Sequence, residues 1–95
     1  MAYQIVRTYS AGVFAGETKI LTNDGKRVEI RNARRLWCWA GAATLSELAQ
    51  RGTSKPNQCK FPVPVDRLEV TEAIELIDVT EAGRASIEAV PVWTE

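Results

Sequence analysis

The stretch Glu17-Thr18-Lys19-Ile20-Leu21-Thr22-Asn23-Asp24-Gly25-Lys26-Arg27-Val28-Glu29-Ile30-Arg31 decides the fold. Asp24-Gly25 supplies the positive φ angles that a tight hairpin needs, so Asn23-Asp24-Gly25-Lys26 is the strongest turn signal in the chain. On its far side the residues alternate: Val28 and Ile30 face a core while Arg27, Glu29 and Arg31 face water. On its near side a strand runs back through Ile20 and Leu21 to Val13. Ser10-Ala11-Gly12 breaks the chain there, and Tyr3-Gln4-Ile5-Val6-Arg7-Thr8-Tyr9, β-branched, aromatic and alternating, reads as the first strand. Three antiparallel strands in a row follow from these signals alone.

Working outward, Asn32-Ala33 marks a bend, and from Ala40 the apolar period changes from two to about 3.6. Leu45, Leu48, Ala49 and the small Gly41 and Ala42 form one stripe, which predicts a main helix over 40–51, closed by Gly52 as a left-handed cap. Its first turn carries no Ser, Thr, Asp or Asn at the expected cap, so its amides need a partner. Thr53 to Gln58 is a polar loop. Cys59-Lys60-Phe61-Pro62-Val63-Pro64-Val65 must run extended, because prolines two apart forbid a helix and a central strand. Leu68–Val70 and Ile74–Leu76 predict one or two further strands with Thr71-Glu72 as a turn or bulge between them; a short helix is the alternative. Thr80 caps a second helix over 81–89, weakened by Gly83, and Pro91-Val92-Trp93 leaves as a tail strand in which Trp93 anchors the core. The sum is an α+β single domain, 1–95: a curled antiparallel sheet of about five strands covered by two helices.

Composition excludes several classes of function. The chain has 95 residues, with Lys plus Arg and Asp plus Glu balanced at 12 each, so nothing draws it as a whole to long nucleic acid. Histidine is absent, which removes the commonest general base, metal ligand and nucleophile partner. Cys38 and Cys59 are too few for an ordinary zinc cage and read as free thiols, buried or half-buried; a reactive or bridging pair is the sharper alternative. Asp66, Glu69, Glu72, Glu75 and Asp78 recur without a metal-loop pattern and read as a solvated face. The expectation is no enzyme, no metal and no cofactor. No apolar run spans a bilayer and Met1 to Arg7 lacks the layout of a signal peptide, which predicts a cytoplasmic protein without a membrane partner.

The chemistry concentrates in Asn32-Ala33-Arg34-Arg35-Leu36-Trp37-Cys38-Trp39-Ala40-Gly41-Ala42-Ala43. In an extended chain Arg35, Trp37 and Trp39 share one face and Leu36, Cys38 and Ala40 the other. A guanidinium then lies beside two stackable rings. Gly41, at the predicted helix start, exposes amides that attract an anion, and Tyr9 and Ser10 offer hydroxyls on a flexible backbone. The ligand-binding candidates are therefore Arg34, Arg35, Trp37, Trp39, Gly41, Tyr9 and Ser10. Ring, charge and amides together suit a small phosphate-bearing ligand such as a nucleotide. So short a chain rarely encloses a ligand alone, which predicts a homo-oligomer, dimer or larger. The alternative is a protein-interaction module centred on the tryptophans.

Three segments together, Val6-Arg7-Thr8-Tyr9-Ser10-Ala11-Gly12-Val13, Asn32 through Gly52, and Thr71-Glu72-Ala73-Ile74-Glu75-Leu76-Ile77, carry a resemblance. The chain resembles a family of small bacteriophage- and prophage-encoded proteins with a similar Tyr-Ser-Ala-Gly run ahead of a similar Ala-Arg-Arg-aliphatic-Trp block. The resemblance implies a setting in the host-cell cytoplasm. By analogy it implies either blockade of a host protein or sequestration of a host signal, cyclic nucleotides of antiviral signalling included.

Overall fold

The computed structural model describes all 95 residues. Five strands form one antiparallel sheet: β1 (Ala2–Thr8), β2 (Val13–Ile20), β3 (Val28–Arg35), β4 (Val65–Val70) and β5 (Ala73–Asp78), in the order β4-β3-β2-β1-β5. The α+β reading holds, and the sheet stays open. Its hairpin forms where Asp-Gly predicts it. Gly25 has φ 74°, and the Asp24 carboxylate accepts from the Thr22 hydroxyl at 2.6 Å and from Lys26 N at 2.9 Å. The Thr22 bond, first, and the Lys26 amide hold that carboxyl below its ordinary range.

β4 and β5 are consecutive in sequence yet occupy opposite edges. Thr71-Glu72 is therefore no hairpin turn; it is a crossover between edges. Three peptide units reach about 11 Å, whereas opposite edges of a flat five-stranded sheet lie about 19 Å apart. The sheet has to curl. Backbone bonds from Ala73 N to the Lys26 carbonyl and from Tyr9 N to the Glu72 carbonyl, both 2.9 Å, hold the closed corner. Inside the curl, Val6, Phe14, Val28, Ile30, Ala33, Val70 and Ala73 make one core.

The other face carries a second core. Ile5, Ala15, Leu36, Leu48, Ala49, Cys59, Phe61, Ile87 and Val90 pack where α1 (Leu45–Arg51) and α2 (Glu81–Ala89) cover the sheet. α2 has the predicted bounds, and the Thr80 hydroxyl accepts from Gly83 N at 3.0 Å. α1 is shorter than the predicted 40–51. Thr44 is its cap, accepting from Glu47 N at 3.1 Å, and the Glu47 carboxylate accepts from Ala43 N at 2.6 Å. Gly41 lies outside the helix at φ 77°. The Thr-x-x-Glu spacing of Thr44 and Glu47 is a helix-start signal that outweighs the apolar period extending before it.

A bulge in β3 decides where the arginines go. The β2–β3 register slips between Ala15 and Glu17, and Asn32 takes φ 49°. A Cβ on Gly16 would come within 2.6 Å of Ile30 Cγ2 and 2.7 Å of the Arg31 carbonyl, so the bulge folds against a bare backbone. One extra residue reverses the alternation. Arg34 comes opposite Ala15, on the helix-covered face, and Arg35 opposite Phe14, toward the inner core.

Candidate functional site

Beyond β3 the chain makes a small second ribbon. Cys38 and Lys60 exchange backbone bonds, Lys60 N to the Cys38 carbonyl at 2.7 Å and Cys38 N to the Lys60 carbonyl at 3.4 Å. On the other side of the same segment Phe61 bridges Val92, and Trp93 N donates to the Phe61 carbonyl at 3.0 Å. Alternation sends Cys59 and Phe61 into the core and Lys60 outward. The proline-containing crossing is thus the centre of the ribbon. Its outward neighbours are indoles. Trp37, 58% exposed, meets Trp93 with ring centroids 5.0 Å apart and planes at 50°. The Lys60 ammonium stands 5.5 Å from the centroid of each ring. Trp93 is half-exposed, and its role differs from the expected core anchor: it pairs with Trp37 at the surface. Beside it lies a cleft of about 270 Å³ lined by Pro56, Asn57, Pro91, Val92 and Thr94 among others.

The remaining candidates disperse. Trp39 is half-buried and packs against the helix-covered core, away from the Trp37–Trp93 pair. Arg35 lays its guanidinium 4.4 Å from the Phe14 ring centroid and donates to the Ala11 carbonyl at 2.6 Å. That contact fastens the loop in which Tyr9 is 76% exposed and Ser10 is exposed. Arg35 and Trp37 do not share partners as simple alternation predicts, because regular strand ends at Arg35. Gly41 is a packing glycine: a Cβ there would come within 2.5 Å of Lys55 N and 2.8 Å of Ser54 N. Its carbonyl accepts from Ser54 N at 3.2 Å. Of the amides around the helix start, Glu47 N is served by the Thr44 hydroxyl and Ala43 N by the Glu47 carboxylate.

Arg34 is 6% exposed, the sole buried charge. Its guanidinium donates to three main-chain carbonyls: Ile87 at 3.0 Å, Phe61 at 3.1 Å and Pro62 at 3.3 Å. It ties the end of α2 and the proline crossing to the sheet. Burial pulls its pKa down, and no carboxylate pairs with it. With Tyr3, Asn32, Pro64 and Glu88 it lines a cleft of about 260 Å³. The Tyr3 phenol is pushed up to about 12, by burial first and then by Glu88. No cleft is lined by more than one of the seven residues read as a ligand site.

The match to a family profile runs over residues 1–87, nearly the whole chain. The chain belongs to the DUF6948 family, a domain of unknown function. No curated protein and no solved structure matches it. Within this DUF6948 domain, Trp37, Lys60 and Arg34 fall inside the matched residues and Trp93 outside them. No group of three or more metal-ligating side chains converges in it, and no helix is long and apolar enough to cross a membrane. Both cysteines are free; Cys59 is buried as expected, whereas Cys38 is exposed. Of the acidic residues of the second half, two pair across to β1, Glu75 with Arg7 at 3.0 Å and Asp78 with the Gln4 amide at 2.7 Å. Sequence reading did not seat Lys60 over the indoles or pair Trp93 with Trp37. Alternation outward from the buried Phe61 would have placed Lys60, but only the parallel bridge at Val92 brings Trp93 alongside.

Proposed function

We propose that this DUF6948 domain is a non-catalytic interaction module that docks a partner protein through Trp37, Trp93 and Lys60. The observation that carries this reading is Trp37, exposed yet held against a second indole under one ammonium. Tryptophan is the residue most enriched among those that dominate protein interfaces, and a ring already fixed by a neighbour loses little entropy on docking. The complement is an apolar pocket for the indole with a carboxylate at its edge for Lys60. If the chain is phage-encoded, as its resemblance suggests, the partner is a host protein.

A small phosphate-bearing ligand is less well served. The two rings touch each other instead of standing apart as a clamp, so a base would stack on one open face only. Arg35 and Gly41 are engaged elsewhere, and Arg34 lines a cleft that contains neither Trp37 nor Trp93. The test begins with a partner identified on immobilised protein and then purified for direct affinity measurement. Trp37→Ala is expected to weaken binding by about 2 kcal/mol or more, roughly thirtyfold, with thermal unfolding unchanged. Equal affinity for wild type and variant would overturn the reading. So would a rise in melting temperature with cyclic or linear nucleotides, which would return the site to nucleotide capture. Concentration-dependent self-association lost in Trp37→Ala would also overturn it, making the partner a second copy.

A further inference from the structure

Arg34 does more than its three carbonyl contacts require. A guanidinium has five N–H donors; three go to Phe61, Pro62 and Ile87, and two are left in a side chain that forms part of a cleft wall. Its charge has no carboxylate partner anywhere in the chain. Across the same cleft stands Glu88, which shares Arg84 with Glu17 at 3.3 and 3.1 Å respectively. Arg84 also stacks over the ring of Tyr3, itself a lining residue of the cleft, at 4.6 Å. Counted together, Arg34 and Arg84 balance Glu17 and Glu88, so the cleft is neutral overall but polarised, cationic at its buried floor and anionic at its rim.

We propose that this cleft binds a small zwitterion of the α-amino acid class, its carboxylate on the free donors of Arg34 and its ammonium on Glu88. A simple anion meets the repulsion of Glu88, and a simple cation meets that of Arg34; only a molecule carrying both charges satisfies both ends. The Tyr3 phenol, which stays protonated, and the Asn32 amide provide neutral hydrogen bonds between them, and Pro64 an apolar wall. The volume of about 260 Å³ gives room for one amino acid at the low end of the size range of ligand sites. Arg34 is suited to the task because its planar fork matches a carboxylate and its own position is fixed by three carbonyls.

The test is a heteronuclear NMR titration of the full chain with L-alanine, sodium acetate, methylammonium and L-alaninamide, following the Arg34 Nε–H and Asn32 side-chain amide signals. L-Alanine is expected to produce saturable shifts at millimolar concentration. Acetate, methylammonium and alaninamide are each expected to bind about tenfold more weakly, the size of one lost charge-assisted hydrogen bond. Glu88→Gln, at an exposed position of α2, should bring L-alanine down to the level of acetate while the fold persists. No saturable shift with L-alanine up to tens of millimolar, acetate binding as well as alanine, or an unchanged alanine affinity in Glu88→Gln would each overturn the proposal. The Trp37→Ala variant should titrate like wild type, which separates this site from the tryptophan face.

Discussion

Arg34 and Arg35 are adjacent, chemically identical and put to opposite uses. Arg34 is buried on three carbonyls that helix and crossing leave open, and Arg35 pins a surface loop from above the Phe14 ring. Replacing Arg34 by methionine keeps much of the side-chain length but strips the donors from three acceptors around it. An unsatisfied buried polar group costs about 1–3 kcal/mol, so Arg34→Met is expected to lose about 3 kcal/mol or more, read as a fall in the urea midpoint. Arg34→Lys, with a single ammonium in place of the fork, should fall between methionine and wild type. Alternation sends these two arginines to opposite faces, but sequence did not say which of them would be buried. Their fates hang on one extra residue at Asn32, and a bulge is visible only in the pairing register.

Helices here are shaped by what they pack on as much as by their caps. Gly83 reads from sequence as a weak point in α2, since glycine costs about 1 kcal/mol against alanine in a helix. The structure gives it a purpose: a Cβ at that position would overlap the Ala49 carbonyl oxygen of α1. The two helices approach as closely as they do because nothing stands between their backbones. Gly83→Ala should therefore destabilise the fold, by about 2 kcal/mol net despite its better helix propensity, because the obstacle is main chain and cannot rotate away. Chemical denaturation of Gly83→Ala and of the exposed control Glu81→Ala checks this. The start of α1 was legible in principle from Thr44 and Glu47, and a reading led by apolar periodicity alone begins the helix five residues too early. By contrast Thr80 and Gly25 announce their structures openly, because a cap and a turn depend on local backbone geometry.

Taken whole, the molecule is a sheet curled on one apolar core and roofed on another, with its exposed ribbon of β3 and β4 laced by charge. In register, Glu29 faces Glu69 and Arg31 faces Arg67, an arrangement that repels. Cross-strand diagonals and same-strand neighbours reverse it: Arg67 reaches across to Glu29 at 3.0 Å and Arg27 bonds Glu69, while along the strands Arg31 reaches Glu29 at 2.8 Å and Arg67 reaches Glu69 at 3.5 Å. Arginine hydrogen bonds hold both carboxyls below their ordinary value of 4.5, Arg31 and then Arg67 acting on Glu29, and Arg27 on Glu69. A lowered folded-state pKa means that the unfolded chain binds protons first. The stabilisation is present above about pH 4.5 and is lost as pH falls through the lowered values. The melting temperature of wild type should thus drop on acidification from pH 6 to pH 3 by more than that of Glu29→Gln, and the difference should shrink in 1 M salt.

Local chemistry, legible residue by residue, settled the hairpin at Asp24-Gly25, the strand run on either side of it, the second helix behind Thr80, the α+β class and the concentration of arginine and tryptophan after Asn32. Long-range contact settled the rest: a crossover in which Thr71-Glu72 joins opposite edges, a bulge that reverses Arg34 and Arg35, and a tail that seats Trp93 beside Trp37. The physical reason is that turns, caps and alternation are properties of a few consecutive residues. Curl, register and the meeting of residues 37, 60 and 93 depend on which distant backbones share hydrogen bonds, and no short stretch carries that information.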